Sequence, residues 1–359
     1  MTYREFTRRE FLKVSAATTL LVLSEGYLNN RRTHASNSLS IKPVEKLKVT
    51  VVTDNYYDAL RWNLHPPDFK MVKRFSTLPG RSIHAEHGLS YYIEASLEGR
   101  SYGVMFDYGL EFRGVARNIS LLGIDFAKID ALGLSHGHFD HYGNLVQLLK
   151  HNRRKIKKGV PLFVGVEAFE RRYVNLPEGR YEPSGLQDLG QLSKKEIESL
   201  NLVRIVEVKD PTEMVPGIYI SGNIERVTDY EKGSPILLIK RGEKLEQDLF
   251  PGEQALFFNV KDRGLVVISS CAHAGIVNTV KHVQKISGIG KIHAIIGGFH
   301  LIGAPAEKVQ RTVADIKSME PDFIIPMHCT GWEAITTFEK EMPKQFILNT
   351  AGTTYLFGS

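Results

Sequence analysis

The densest group of reactive side chains lies in the segment Ser135–His141, which reads S-H-G-H-F-D-H. Three imidazoles and one carboxylate, from His136, His138, Asp140 and His141, fall within six residues. Charged imidazoles this close together would repel one another, and neutral ones would be poorly used in a core. Neutral imidazole and carboxylate are ligands that Zn, Mn and Fe accept. The segment therefore predicts a site for one or two divalent ions, with Zn favoured and Mn or Fe as alternatives.

The flanking residues place this segment on a strand-to-helix loop. Residues 129–134 read as a buried strand, and residues 144–150 read as the first turns of a helix. In an extended segment the first two histidines point to the same side and can hold one ion. After the chain turns, Asp140 and His141 can reach a second ion about 3.5–4 Å away, the separation typical of two-metal hydrolytic sites.

Three further histidines follow apolar strands in the second half of the chain; they are His273, His300 and His328. One such histidine is usually a core or cap residue. Three in succession, while the first cluster still needs partners, indicate that strand ends from both halves converge on the metals. His300 follows Gly297-Gly298, which would let backbone and substrate approach closely. We therefore predict it as a metal ligand, a group that orients a ligand, or a general acid.

The order of apolar runs predicts the elements that position these residues. Strands followed by helices, repeated in both halves, fit an α/β sandwich with outer helices better than one doubly wound sheet. The pattern predicts helices at 167–174 and 306–318 and a final pair of strands at 345–348 and 354–357. Residues from about 175 to 200 read as a turn-rich insertion and a candidate lid.

The first residues predict an export signal. Arg8-Arg9 followed by Phe-Leu-Lys matches a twin-arginine signal, and the next apolar run, residues 14–23, is too short to span a bilayer. The alternative is a basic amphipathic helix of the folded domain. We predict a signal peptide and linker over residues 1–45 and one domain over residues 46–359. The protein is then periplasmic or otherwise extracytoplasmic, with the twin-arginine export machinery as a partner.

Composition and charge argue against two further classes of protein. Half of the formal net charge of +6 lies within the first 35 residues, so the remaining chain of more than 300 residues is only weakly basic. This balance argues against a nucleic-acid partner. No later run is long and apolar enough for a stable membrane span. With 42% hydrophobic residues, the chain can bury one large core.

The segment from His136 to His141 resembles the H-x-H-x-D-H signature of the metallo-β-lactamase superfamily. The resemblance implies a four-layer αβ/βα sandwich, of the α/β (α+β) class, with a metal pair at one edge. It also implies that His328, in a Pro-x-His setting, is the last ligand, and we assign His273 as the remaining one. The superfamily usually has a bridging aspartate after the strand that here ends at Cys271. No aspartate stands there, so Cys271, His273 or a water must replace it.

Further segments, taken in order, resemble a narrower subfamily that includes the archaeal dihydropterin–ribofuranosylaminobenzene-phosphate synthase. They are Asp54-Asn55, Ala85–Ser90, Phe106–Gly109, Cys271–Gly275, Gly297–Leu301 and His328–Gly331. The resemblance runs from about residue 46 to the end of the chain. It implies a metal-dependent hydrolase and defines fold and metal better than substrate.

Acidic and histidine side chains of the first half are candidates for supporting roles. Glu86 and His87 are predicted to act in catalysis by projecting towards the metals, orienting a ligand imidazole or binding the leaving group. A surface loop pair is the alternative. Asp107 follows a buried strand and is predicted to be structural, accepting backbone hydrogen bonds of the metal loop.

The two cysteines, Cys271 and Cys329, each adjoin a site histidine. If both strand ends converge on the metals, the two sulfurs are near neighbours. A disulfide, a thiolate ligand and a pair of inert buried thiols are all compatible with the sequence, and we favour inert thiols.

Three functions fit these residues. The first is an exported hydrolase that uses a metal-bound hydroxide on a phosphoester, phosphodiester or lactone-type small molecule, with Asp140 and His300 in catalysis. The second is a pterin-diphosphate transferase similar to the archaeal synthase. An export signal argues against it, because pterin diphosphates are cytoplasmic metabolites. The third is a non-catalytic metal-binding protein, against which the full set of ligands argues.

Overall fold

A computed structural model describes residues 39–66 and 71–358 of the chain. The first ten strands are β1 (Pro43–Val44), β2 (Lys46–Thr53), β3 (Met71–Lys73), β4 (Ser90–Leu97), β5 (Arg100–Phe106), β6 (Ile129–Gly133), β7 (Val160–Gly165), β8 (Arg172–Leu176), β9 (Gly185–Gly190) and β10 (Val203–Val208). The others are β11 (Thr212–Val215), β12 (Ile218–Ile220), β13 (Leu237–Arg241), β14 (Lys244–Gln247), β15 (Leu256–Val260), β16 (Gly264–Ser269), β17 (Ile292–Gly298), β18 (Phe323–Met327) and β19 (Thr354–Gly358). The predicted export signal lies outside the described residues, except for its last positions from residue 39 onward.

The first sheet has eight strands in the order β10-β7-β6-β5-β4-β2-β19-β3. Strands β4 and β5 form the hairpin expected from their alternating pattern, and their connection places Glu98 and Gly99 at φ values of 52° and 73°. Two successive positive φ angles are what a two-residue hairpin turn of the favoured twist requires. Strands β5, β6, β7 and β10 run parallel, so their carboxyl ends share one edge.

The second sheet has the order β11-β12-β15-β16-β17-β18, with β1 paired to β15. Strands β16, β17 and β18 are parallel and almost entirely buried. Parallel strands covered on both faces are expected to be apolar along their full length. The two sheets pack face to face through a core that includes Val49, Ile93, Phe258 and Ile296.

Helices cover the outer face of each sheet. They are α1 (Phe112–Leu121), α2 (Phe139–Tyr142), α3 (Leu145–His151), α4 (Lys194–Ser199), α5 (Ile276–Ser287), α6 (Ala306–Ser318) and α7 (Trp332–Glu341). Val115 of α1 and Leu148 of α3 pack with Leu132 on the first sheet, and Val280 and Phe338 belong to the cluster on the second. The four-layer sandwich is thus confirmed, and α6 has the predicted bounds. Among the described residues, no helix is long and apolar enough to cross a membrane.

Two predicted elements of secondary structure are wrong. In place of a helix at 167–174, Glu167 takes a φ of 61° and the chain enters β8 at Arg172. The helix prediction overlooked the alternation of Arg-Tyr-Val-Asn-Leu, which has the period of a strand. Residues 345–348 form no strand either, since only Phe346 makes an isolated bridge, to Ile324.

Residues 175–200 are also more ordered than a turn-rich insertion. They contain most of the β8–β9 hairpin and the helix α4. The hairpin joins β13 and β14 in a third, four-stranded sheet with the order β14-β13-β8-β9. The long separation in sequence between β8 and β13 hides this pairing from any local pattern.

Candidate metal centre

The predicted ligand loop begins where β6 ends. Strand β6 stops at Gly133, the chain bends at residues 135–137, and α2 then starts at Phe139 with His138 as its extended N-cap residue. The three histidines of the second half follow the carboxyl ends of β16, β17 and β18, which are neighbours in the second sheet. In open α/β sheets this edge is where ligands bind. The two sheets therefore contribute their strand ends to one place.

Three buried imidazoles form a first set of donors, which we call the trihistidine group: His136, His138 and His273. One nitrogen of each lies within 4.8 Å of the others. The Nε2 atoms of His136 and His273 are only 3.2 Å apart. Burial lowers the pKa of all three imidazoles well below the usual value, so they are neutral at physiological pH. Three neutral imidazoles that converge in this way offer three lone pairs to a cation.

A second set of donors, the mixed group, consists of Asp140, His141, Cys271 and His328. The Nε2 atom of His141 lies 3.1 Å from the Cys271 sulfur and 3.5 Å from Oδ2 of Asp140, and Nε2 of His328 lies 3.3 Å from the same oxygen. Burial alone would raise the pKa of Asp140, but His141 and His328 hold it well below its usual range. The carboxylate is therefore ionised, and the same contacts with Asp140 and Asp107 raise the pKa of His141 to about 10.

Cys271 lies where the two groups meet. Its sulfur belongs to the mixed group and also to a further set of three donors with His273 and His300. A thiol in that position is suited to replace the missing bridging aspartate. Cys271 is also free and buried, and burial raises the pKa of its thiol well above the usual value, so the prediction of inert thiols stays open at this residue. Cys329 is different, since it contacts the Cys271 carbonyl oxygen at 3.5 Å and both cysteines are free thiols.

Hydrogen bonds outside the two groups orient the ligand imidazoles. Oδ2 of Asp107 accepts a hydrogen bond from Nδ1 of His141 at 2.7 Å, and Oδ1 and Oδ2 accept from the backbone N–H and the hydroxyl of Ser135. Oδ1 of Asn55 lies 3.1 Å from Nδ1 of His328. Such partners fix which ring nitrogen faces a metal. The hydrogen bond from the Ser135 backbone N–H agrees with the structural role predicted for Asp107. Asp107 also orients the imidazole of His141.

His273 is held by two residues that the sequence did not single out. The Phe250 ring stacks on its imidazole with a centroid separation of 3.9 Å and an interplanar angle of 6°. The carboxylate of Glu253 accepts hydrogen bonds from the backbone N–H groups of His273 and Ala274 at 2.7 and 2.6 Å. Neither residue has a local sequence signal, because both lie in the loop before β15 and reach the site only through the fold.

Several residues at this edge have left-handed backbone angles. Among non-glycine residues, Asp107, Ala272, His300 and His328 have φ values of 58°, 54°, 45° and 52°. Each costs on the order of 1–3 kcal/mol and persists only where the surroundings enforce it. Gly298 lets the backbone at the end of β17 lie close to that of Ser270, since a Cβ at residue 298 would be only 2.2 Å from the Ser270 carbonyl oxygen.

Among the described residues of this site, two buried imidazole nitrogens have no hydrogen-bond partner, Nδ1 of His300 and Nε2 of His328. Buried polar atoms are almost always paired, so each unpaired one requires an explanation. Nε2 of His328 faces Asp140, and His300 belongs to the set of donors around Cys271. A divalent ion held by the mixed group would satisfy Nε2 of His328, so the residues present fit the metals that the sequence predicts.

The two residues proposed for supporting catalysis have separate positions. His87 stacks on His328 at 4.9 Å, with its Nε2 atom 3.6 Å from Oδ2 of Asp140, and is exposed at the mouth of the site. Glu86 points elsewhere, because its carboxylate accepts hydrogen bonds from the backbone N–H groups of Leu110 and Glu111 at 2.7 and 2.8 Å. The catalytic prediction for Glu86 is therefore corrected: its carboxylate holds the loop before α1.

Two cavities flank the donors. One, of about 270 Å³, is lined by His328, Asn55, Tyr56 and Trp332 and has an apolar, aromatic character. The other, of about 280 Å³, is lined by His273 and His300 and by residues between β17 and α6. Exposed Ile302 borders both cavities.

Comparisons with known proteins agree with this geometry. A sequence profile of the metallo-β-lactamase superfamily matches residues 86–181, which include the whole ligand loop. The 7,8-dihydropterin-6-methyl-4-(β-D-ribofuranosyl)-aminobenzene-5′-phosphate synthase of Methanocaldococcus jannaschii is 36% identical over 265 residues, which cover 73% of this chain and 87% of that protein. The chain therefore belongs to the metallo-β-lactamase superfamily, whose fold implies binding of divalent metal ions.

Two more distant proteins are also similar to the chain. An uncharacterized protein of the same archaeon is 28% identical over 258 residues, covering 71% of this chain and 88% of that protein. The crystal structure of Tm1679, described as a metal-dependent hydrolase of the β-lactamase superfamily, superposes with a TM-score of 0.64 at 22% identity. It covers 86% of this chain and 98% of its own, so the fold extends over nearly the whole described part.

Proposed function

We propose that the chain is an exported metal-dependent hydrolase of small molecules with a phosphoester, phosphodiester or lactone-type bond. The observation that supports it most is the meeting of the trihistidine and mixed groups at Cys271, next to two open cavities. A purely structural metal site would be closed, whereas a hydrolytic site needs space beside its ligands.

In this proposal the trihistidine group holds one ion and the mixed group a second, and imidazole, carboxylate and thiolate donors suit Zn. Bound ions would supply Lewis acidity and lower the pKa of a water. The protein's own part is to orient and to move protons. Asp107 holds Nδ1 of His141 and Asn55 holds Nδ1 of His328, so that both Nε2 atoms face Asp140.

His300 is our candidate for the group that protonates the leaving atom. It borders the cavity of about 280 Å³, and its ring lies 4.2 Å from that of His273. General acid catalysis contributes about 10²–10⁴ in rate. His300→Gln should lower turnover by that order while metal content stays normal. Loss of metal instead would make His300 a ligand, and no change in either would remove it from the mechanism.

The experiment for the hydrolase itself combines metal analysis with a substrate panel. Purified protein should contain one or two Zn, Mn or Fe ions per chain. It should hydrolyse at least one of a phosphodiester, a phosphomonoester and a lactone, with activity lost on chelation and restored by metal. Metal content without turnover on any of the three would favour the non-catalytic metal-binding alternative.

A second candidate function is a synthase reaction that transfers a pterin from its diphosphate to an aminobenzene. The observation that favours it is the 36% identity to the archaeal synthase over 265 residues. The test supplies a dihydropterin diphosphate and ribofuranosylaminobenzene phosphate and follows release of diphosphate. Product formation faster than any hydrolysis in the panel would replace the first proposal with this one.

Export is a separate part of the proposal, supported by the Arg8-Arg9 pair and the short apolar run after it. Replacing both arginines by lysine should leave the precursor in the cytoplasm, as measured by fractionation and immunoblotting. Undiminished export of the double-lysine variant would mean that the motif is accidental or that another route is used.

A further inference from the structure

The cavity of about 280 Å³ contains one cation whose position needs an explanation. Lys308 lines it together with His273 and His300 and comes from the first turn of α6. The side chain is partly buried, and this burial lowers the pKa of its ammonium group. Lys308 therefore lines the same cavity as two of the metal-donor candidates and is only partly exposed.

Nothing in the described residues 39–66 and 71–358 pairs with the Lys308 ammonium through a hydrogen bond or an ion pair. Two other lysines of this half of the chain have acidic partners, Lys285 with Glu225 and Lys317 with Glu341. A partly buried charge without a partner is unfavourable, so this arrangement leaves the ammonium free for a ligand.

The acid that influences Lys308 most is already engaged. The Glu231 carboxylate accepts hydrogen bonds from the backbone N–H groups of Val277 and Asn278 at 3.0 and 2.8 Å and from the Thr228 hydroxyl at 3.1 Å. It therefore caps the beginning of α5. Its charge is shared with these donors, which leaves the lysine without a contact partner of its own.

The cavity wall contains the Glu231 carboxylate as well as Lys308, and the N-terminus of α6 adds positive potential to it. Helix α6 has Pro305 as its N-cap residue and no side-chain hydrogen bond to its first amides. The N-terminus of a helix carries partial positive charge, which favours anions nearby. Arg226 lies behind the wall, where its guanidinium donates to the backbone carbonyls of Glu231, His273 and Ala274.

We propose that Lys308 binds an oxyanion of the substrate, a phosphoryl or carboxylate group, in the cavity beside His273 and His300. The substrate is then an anion whose scissile bond lies at the metal centre while a second, charged group contacts the lysine. This inference rests on the proposed hydrolase for the position of the scissile bond, but the binding itself does not depend on turnover.

The test measures binding by calorimetry to the metal-loaded full chain, with phenyl phosphate and benzoate as probes for the two kinds of oxyanion. Lys308→Met should weaken binding of at least one probe about tenfold or more, the order expected for loss of a charge-assisted hydrogen bond. Lys308→Arg should retain most of the affinity. Lys317→Met, on the exposed part of the same helix, is the matched control and should bind as the wild type does. The probe that responds identifies the oxyanion.

Kinetics and stability separate this role from a structural one. For esters with a charged tail, Lys308→Met should raise KM about tenfold, and for neutral esters it should leave KM and kcat unchanged. Equal probe affinity in Lys308→Met and wild type would overturn the proposal, as would an equal loss of affinity in Lys308→Arg. If the wild type hydrolyses no ester but binds a probe in a Lys308-dependent way, the anion site stands and the proposed hydrolase fails. If the wild type hydrolyses neutral esters and Lys308→Met binds the probes as the wild type does, the proposed hydrolase stands and the anion site fails.

Discussion

The trihistidine group and the mixed group lie side by side but differ in charge and in origin. The first consists of three neutral imidazoles, two of which come from one short loop. The second adds an ionised carboxylate and a thiol to imidazoles from both sheets. An ion in the first group would keep its full charge, whereas the ligands of the second would neutralise part of it. The comparison shows how one edge can offer two metal sites of unequal affinity and unequal Lewis acidity.

The largest effect should come from breaking the trihistidine group. His138→Ala removes one of only three donors, so one ion should be lost while the mixed group keeps its own. Turnover should fall by more than about 100-fold, the upper end of what loss of a ligand's hydrogen-bond partner costs. Metal analysis and activity on the same sample check this, with exposed His151→Ala as the control. Full metal content in His138→Ala would refute the assignment of this group.

The next largest effect tests whether the thiol of Cys271 makes metal binding by the mixed group different from binding by the trihistidine group. Cys271→Ser should weaken binding of the second ion, because a hydroxyl is a poorer ligand than a thiolate for Zn. In the cobalt-substituted protein, the sulfur-to-metal charge-transfer band should be present in the wild type and absent in the variant. Cys329→Ser is the matched control, since its sulfur lies outside both donor groups. An unchanged band in Cys271→Ser would restore the interpretation of an inert thiol.

The two groups also differ in how far the sequence predicts them. His136, His138, Asp140 and His141 lie within one loop, so their spacing alone indicates a metal site. The strand ends that bring His273 and His328 to this loop follow from strongly apolar runs, and the structure brings them together as expected.

What the sequence could not predict depends on contacts between distant segments. The sequence left Cys271 open as a ligand or an inert thiol, and only the placed strand ends show that its sulfur lies 3.1 Å from Nε2 of His141. Glu253 and Phe250 reach His273 from a loop with no pattern of its own. Glu86 was misassigned because an acid beside a histidine resembles a catalytic pair, while its backbone partners, 24 and 25 residues away, leave no trace in a local motif.

A smaller effect should follow from loosening one ligand of the mixed group without removing it. Asn55→Ala deletes the acceptor of the His328 Nδ1–H, so the ring can rotate away from Asp140. Loss of such a partner typically costs 10–100-fold in metal affinity. Competition with a chelator should show this loss for one ion only. Asn55→Asp, which keeps an acceptor oxygen, should restore the affinity, and equal affinity in Asn55→Ala would mean that His328 is held by other contacts.

The smallest effect on the metals is expected at Glu86, because it acts on neither group. Glu86→Gln replaces one of two acceptor oxygens by an amide, which leaves the backbone N–H of Leu110 or Glu111 without a partner. The free energy of unfolding should fall by about 0.5–1.5 kcal/mol, the net contribution of one hydrogen bond. Metal content and kcat should match the wild type, and exposed Glu98→Gln should change neither stability nor kcat. Thermal denaturation and turnover, measured on the same preparations, decide between the two roles. A fall in kcat with unchanged stability would return Glu86 to the catalytic machinery and show that the mixed group extends beyond its four donors.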